Sequence, residues 1–260
     1  MAEPAKNGGV QSVGRVLDLL EIVGDAGGEI GLSELATRSG LPLPSIHRLV
    51  RTLVQRGYMR QLPNRRYALG ARLVPLGQVA GTMLGAWAQP VLTGLVDALG
   101  ESANLAVLDH DAVMYIGQVP SRHTMRMFTE PGRRVPAHCT GVGKALLSQL
   151  PDDAVRELLA RTGMAAATPN PIPDPDRMLD ELARIRRDGH AMDEGEQEIG
   201  VRCVAVPVHG ALGTLGISVS GPAPRMTPEL IDRAIPLLRE AGERLSSEIG
   251  ARGIPPLTAP

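Results

Sequence analysis

The sequence predicts an α+β protein: a winged helix-turn-helix domain over residues 10–70, a linker helix over 71–88 and a domain with an antiparallel sheet over 89–250. Three observations predict it. Residues 35–96 hold eight arginines (Arg38, Arg48, Arg51, Arg56, Arg60, Arg65, Arg66, Arg72) and no Asp or Glu, whereas the 260-residue chain has a formal net charge of -1, which leaves -9 for the rest. A basic segment joined to an acidic body suits a protein of which only one part approaches a polyanion. Two short helical patterns flank a proline-bracketed turn inside the start of that segment. From Glu101 onward the rhythm changes to strands mixed with helices, without regular βαβ alternation.

Composition narrows the class further. With 43% hydrophobic and 21% charged residues the chain can bury real cores, which excludes fibrous and disordered proteins. No apolar run approaches the roughly 20 residues that cross a bilayer, and residues 1–9 lack the apolar core of a signal peptide. A cytoplasmic protein with no membrane partner is expected. Two cysteines without a Cys-x-x-Cys predict reduced thiols, no metal site and no cofactor. Tyr58, Tyr67, Trp87, Tyr115 and Phe128 are too few for a binder that stacks single-stranded bases.

The elements follow in order. Ser12 is placed to cap a first helix with Val13, Val16, Leu17, Leu20 and Val23 on one face, ending near Gly24. After the loop Asp25-Ala-Gly-Gly, Ser33 is placed to cap a short second helix that Gly40 ends in a left-handed turn. Pro42 and Pro44 bracket the turn into a third helix, and Pro44 is tolerable only in its first turn. Ile46, Leu49, Val50 and Leu53 face the core at i, i+3, i+4, i+7, which leaves Ser45, His47, Arg48, Arg51, Thr52 and Gln55 outward. Tyr58–Gln61 and Arg66–Leu69 read as strands around Leu62-Pro-Asn-Arg, a wing that carries Arg60, Arg65 and Arg66. This pattern lays a basic helix in the major groove, where arginine can fork onto guanine and the hydroxyls and imidazole suit phosphates or single acceptors. Residues Ser45, His47, Arg48, Arg51, Thr52, Arg60, Arg65 and Arg66 are the candidate contacts to double-stranded DNA.

Leu73, Leu76, Gly77, Ala80 and Leu84 recur at helical spacing, with Pro75 forcing a start or kink near Val74. Strands are expected over Ser102–Leu108 and Ala112–Gln118 around Asp109-His-Asp, then over Thr124–Phe128 and Arg134–Pro136. In Thr140-Gly-Val-Gly-Lys-Ala, Thr140 can cap a helix whose first turn presents bare N–H groups to an anion; ordinary close packing through glycine is the alternative. A Walker loop is excluded by His138 and Ala145. Asp193 is expected on a polar loop, Cys203 in a strand Val201–Val208, and Ser218 and Ser220 on one face of a strand Gly216–Ser220. Four prolines make 165–176 a loop, Asp174 opens a helix that ends at Gly189, and Thr227 caps a final helix that Pro236 should bend.

Gln11-Ser-Val-Gly-Arg-Val-Leu-Asp-Leu-Leu, Leu35-Ala-Thr-Arg-Ser-Gly-Leu-Pro and Ile46-His-Arg-Leu-Val-Arg-Thr-Leu resemble the IclR-type bacterial transcription regulators. His138-Cys-Thr-Gly-Val-Gly-Lys-Ala, Gly189-His-Ala-Met-Asp-Glu-Gly-Glu and Gly200-Val-Arg-Cys-Val-Ala-Val-Pro-Val are similar to that family's effector-domain signatures. The resemblance covers residues 10–250, with Leu43-Pro44 departing from the family's usual Lys and small hydroxyl residue. It implies a GAF-like effector domain, self-association as a dimer or a dimer of dimers through the linker helix and N-terminal domain, and repression as the expected sign. It also implies a small carboxylate effector, glyoxylate-like or from the allantoin pathway with aromatic acids also open, at Gly141, Val142, Asp193, Cys203, Ser218 and Ser220, with Val142 replacing the family's Ala. Met127, Val135 and Val201 would line the site. No catalytic residue is expected. The rival from another class is a thiol-dependent small-molecule hydrolase using Cys203, and a zinc site from His138, Cys139, Cys203 and His209 lacks paired ligand spacing.

Overall fold

The computed structural model describes residues 10–84, 86–127, 129–209 and 215–252, in two compact units that divide between Ala80 and Gly81. The first contains α1 (Gln11–Asp25), β1 (Glu29–Ile30), α2 (Leu32–Ser39), α3 (Leu43–Gln55), β2 (Met59–Gln61) and β3 (Tyr67–Leu69), followed by α4 (Leu73–Leu84). Leu19 and Val23 of α1, Leu35 of α2, Ile46, Val50 and Leu53 of α3, Ile30 of β1 and Met59 of β2 close one core, whereas Val13 and Leu17, grouped by the sequence on the apolar face of α1, are more than half exposed. Pro44 lies in the first turn of α3, Pro75 in the first turn of α4, and Gly40 ends α2 at φ 65°.

Two capping assignments need correction. Helix α1 starts from Val10, whose carbonyl accepts from Val13 N and Gly14 N, so Ser12 already lies inside the first turn. Helix α2 starts from Gly31, whose carbonyl accepts from Leu35 N at 2.9 Å, which places Ser33 inside that helix too. In both cases an extended backbone, with no side-chain cap, opens the helix two residues early. Strand β1 was not anticipated. Its two residues carry no periodicity, and they exist as a strand only because they pair antiparallel with β3 in the order β1-β3-β2.

The second unit is a six-stranded antiparallel sheet in the order β6-β5-β4-β9-β8-β7. Its strands are β4 (Ser102–Asp109), β5 (Ala112–Val119), β6 (Arg134–Pro136), β7 (Ala191–Glu194), β8 (Val201–Val208) and β9 (Leu215–Pro222). Helices α5 (Gln89–Leu99) and α9 (Pro228–Arg252) cover one face, packing Leu92, Leu95, Leu238 and Leu245 on Leu105, Val204, Ile217 and Val219. Helices α6 (Gly141–Leu147), α7 (Asp152–Thr162) and α8 (Pro175–Asp188) cover the other with Val142, Leu146, Leu158 and Leu182 over Ala106, Ala191 and Ala205. Thr140, Asp174 and Thr227 cap their helices as expected, accepting from Gly143 N at 3.1 Å, Arg177 N at 2.9 Å and Leu230 N at 3.3 Å. Helix α9 runs through Pro236 as one element.

The strand expected over 124–128 does not form. Residues 124–127 are a bent loop, and Phe128 lies outside the described residues. The open edge of β5 is already taken by β6, so the loop is tied by isolated bonds instead: Ser102 Oγ donates to Met127 O at 2.8 Å and Arg225 Nη2 to Met125 O at 2.9 Å.

Candidate functional site

Helix α3 and the wing enclose a concave groove of about 530 Å³ lined by Pro44, His47, Arg48, Arg51, Val54, Gln55, Gln61 and Tyr67. His47, Arg48, Arg51 and Thr52 are exposed along α3, and Ser45 is half-buried. Thr52 Oγ1 donates to Arg48 O at 3.0 Å, so its hydroxyl proton is spent within the helix. Among the described residues no acid forms an ion pair with Arg48, Arg51, Arg60 or Arg65. The wing divides its predicted contacts. Gln61 is directly opposite Tyr67 and Arg60 opposite Ala68; because paired residues share a face and neighbours alternate, Gln61 and Tyr67 face the groove and Arg60 the other side. Arg66 is turned onto β1, pairing with the Glu29 carboxylate at 3.2 Å and donating from Nη2 to Glu29 O at 3.1 Å. Gln61 and Tyr67 were missed as groove residues, and strand parity with the buried Met59 is the signal that would have found them.

Arg65 adopts φ 64°, one of two non-glycine residues among those described with positive φ. It closes the wing turn, in which Arg65 N donates to Leu62 O and Arg66 N to Asn64 Oδ1. Glycine is the residue that costs nothing there. Arg65→Gly is therefore expected to stabilise the first unit by about 0.5–1 kcal/mol while weakening DNA binding, read by thermal melts and by gel shift on the same sample.

In the second unit the sheet register brings the predicted ligand residues together. Asp193 pairs with Cys203, Cys203 with Ser220 and Ser220 with Ser102, so these four side chains form one row across β7, β8, β9 and β4. Ala205, Ser218 and Asn104 form the next row on the same face. Asn104 Nδ2 donates to Ser220 Oγ at 3.1 Å and Gln118 Nε2 to Asn104 Oδ1 at 3.1 Å. Asp193 is thus a strand residue in β7 and not part of a loop; its edge strand forms only by pairing with β8, which the four polar and apolar residues involved do not announce. Helix α6 lies on this face. A Cβ added at Gly141 would sit 3.0 Å from Cys203 Sγ, and the Ser218 side chain and the Val142 backbone both act to lower the Cys203 thiol against the effect of its burial. Gly141, Val142, Asp193, Cys203, Ser218 and Ser220 therefore form one buried cluster. Val135 is buried on β6, while Met127 and Val201 are half-buried.

Burial sets the cluster's protonation. The Cys203 thiol is pushed up to about 12, mainly by desolvation and then by the Asp193 charge, and Cys139 is pushed up to about 11 for the same first reason. Both are protonated at neutral pH, so Cys203 is no thiolate nucleophile. Burial also raises Asp193 to about 6, opposed by the amide of Glu196, which donates to Oδ1 at 2.7 Å. Among the described residues no three His, Cys, Asp or Glu side chains converge as a metal would require.

A carboxyl whose folded-state value lies above its ordinary one contributes stability that is complete below the unfolded value and is lost as pH rises through the folded value. For Asp193, raised from its ordinary 3.8 to about 6, the window runs from about pH 4 to about pH 7. Glu181 and Asp111, held low by Arg184 and Arg161, act in the opposite sense. The stability difference between wild type and Asp193→Asn should therefore shift in favour of wild type by up to about 3 kcal/mol as pH falls across that window, measured by urea unfolding at each pH. A pH-independent difference would refute the assignment.

Residues 12–63 match the IclR helix-turn-helix domain and residues 78–247 the C-terminal domain of the bacterial transcriptional regulator IclR. The chain is 34% identical over 258 residues to the transcriptional repressor IclR of Escherichia coli K12, across 96% of this chain and 94% of that one. It is 36% identical over 251 residues to the acetate operon repressor of Salmonella typhimurium LT2, across 94% and 91%. The crystal structure of an IclR-type regulator from Silicibacter sp. TM1040 superposes with a TM-score of 0.82 at 31% identity, covering 92% of this chain and 96% of that one. These relatives are named as regulators and repressors, not as enzymes. No helix among the described residues is long and apolar enough to cross a membrane. A basic groove between a helix and a wing, a separate antiparallel domain with a buried polar row, and family matches over both place this chain in the IclR family of DNA-binding bacterial transcriptional regulators.

Proposed function

We propose that this regulator is a repressor whose 10–70 domain binds a pseudo-palindromic operator as a dimer, and whose 89–250 domain releases or retightens it when a small carboxylate binds. Residues 71–88 would serve as the linker. The observation that carries the ligand reading is the row Asp193, Cys203, Ser220 under α6, with Ser218 beside it. Hydroxyls and the backbone amides of Gly141 and Val142 can take a carboxylate, while Asp193 suits a ligand hydroxyl or hydrated aldehyde. Glyoxylate-like acids fit this small polar set best, with allantoin-pathway acids as the second group. Similarity to proteins named the acetate operon repressor and the repressor AllR supports the sign.

On the DNA side, Arg48 and Arg51 are the base-reading candidates, with Ser45, His47, Thr52, Arg60 and Arg65 as further contacts; Arg66 supports the wing through Glu29. Self-association is supported by apolar side chains that the chain itself leaves more than half exposed: Val10, Val13 and Leu17 beside or on α1, and Val74, Leu76 and Val79 on α4. An electrophoretic shift of the intergenic DNA upstream of the gene, with and without glyoxylate, tests the proposal. A shift that glyoxylate alters supports it. A protein that retards no duplex at low salt refutes it, and a shift indifferent to every small acid refutes the effector half.

A further inference from the structure

Beside the ligand cluster lies a charged pair that none of the proposed binding residues includes. Lys144, on α6 and 2% exposed, forms an ion pair with Glu196, 8% exposed, in the turn after β7. Thr168 Oγ1 holds that turn through Gly195 O at 2.7 Å and Glu196 O at 3.0 Å, and Glu196 N donates to Asp193 Oδ1 at 2.7 Å. Oε2 of Glu196 is buried without a hydrogen-bond partner. The interior therefore contains two carboxylates, one ammonium and an acceptor that lacks a donor. By charge and by hydrogen bonds it is one proton short.

The other groups around Asp193 do not make up the deficit. Cys139, ahead of α6, and Cys203, on β8, keep their thiol protons, as Tyr115 on β5 keeps its phenol proton. On α8, Glu181 is held by Arg184 at 2.6 Å. Burial raises the Asp193 carboxyl to about 6.

We propose that a small carboxylate enters this cluster together with one proton from solvent, which comes to rest on Asp193, and that the Lys144–Glu196 pair is the positioning element that sets this coupling. The inference rests on the reading of Asp193, Cys203, Ser218 and Ser220 as the ligand site. Without the proton, binding would gather three carboxylates around one buried ammonium; with it, the net charge of the site is unchanged and Asp193 gains a donor. One O–H bond forms at Asp193, the proton comes from the buffer, and nothing is oxidised or reduced. Monoanionic acids are selected by the same count, because a dianion would need a second proton.

Titration calorimetry of the full-length protein with glyoxylate and with pyruvate, in two buffers of different ionisation enthalpy, reads the coupling directly. Both acids are ionised throughout the range used. Uptake of close to one proton per ligand is expected at about pH 7.5, with Kd rising about tenfold per pH unit between about pH 6.5 and 8.5 and levelling below about pH 5.5. Asp193→Asn should bind with a flat pH profile and no proton uptake, and Glu196→Gln should take up less than one proton. A wild-type Kd constant across that range, with heats independent of buffer, overturns the coupling and leaves the ligand site standing. Failure of both acids to bind at every pH overturns the site and the coupling together. If Asp193→Asn does not fold, the two-buffer measurement on wild type decides alone.

Discussion

Alanine at Arg48 or Arg51 is expected to weaken operator binding by about 1–3 kcal/mol, roughly 5- to 150-fold, for each arginine that forks onto a guanine. Both side chains line the α3 groove, and neither forms an ion pair with an acid among the described residues. Gel shifts with single base-pair changes separate two roles. A base-reading arginine loses discrimination at one position, whereas a phosphate-binding arginine weakens every sequence alike and lowers the slope of log K against log salt by about 0.9. Arg66→Ala is the contrast, because its guanidinium is committed to Glu29. If Arg66→Ala costs as much operator affinity as Arg48→Ala and Arg51→Ala, with the fold intact, the groove is not the reading surface.

Gly143→Ala should destabilise the second unit by more than about 3 kcal/mol, although alanine ordinarily favours a helix over glycine by about 1 kcal/mol. The added methyl would lie 2.2 Å from Ala137 O, 2.5 Å from Thr140 Oγ1 and 2.7 Å from Ala137 Cα, contacts with backbone and with the cap that cannot swing aside. Gly94→Ala, in the exposed middle of α5 with nothing within 4 Å, should instead stabilise by about 0.5–1 kcal/mol. Urea unfolding of the two variants beside wild type checks both signs. Equal and small effects would mean that α6 can shift away from the chain before it, and that its glycines are not needed for close approach.

The two glycines of α6 also show how one motif can carry two readings. As a sequence, Gly141-Val-Gly143 reads either as bare amides offered to an anion or as close packing. The structure assigns packing to Gly143, against the Ala137 carbonyl, and sets Gly141 against Cys203 inside the polar row. Helices α5 and α7 were not foreseen, yet both carry local signals: Pro90 and Gly100 bound α5, and Asp152, Asp153 and Gly163 bound α7. Their apolar positions, Val91, Leu92, Leu95 and Val96 in one and Val155, Leu158 and Leu159 in the other, have helical spacing.

Local chemistry was enough for the features written within a few residues of one another: the apolar stripe of α3, the left-handed end at Gly40, the helix end at Gly189, the caps at Thr140 and Asp174, and the acid-free arginine run; in α1 it was not, because the core takes Leu19 and leaves Val13 and Leu17 exposed. Family motifs pointed to the proposed ligand residues before any geometry joined them. Chain closure alone settled the rest. Strand β1, the placement of Asp193 in β7, the turning of Arg66 onto Glu29 and the burial of Lys144 against Glu196 all pair residues distant in sequence or depend on an edge strand too short to show a period. Such pairings are held by a partner's free edge or by an opposite charge in a dry interior, and neither leaves a mark on the residues flanking it.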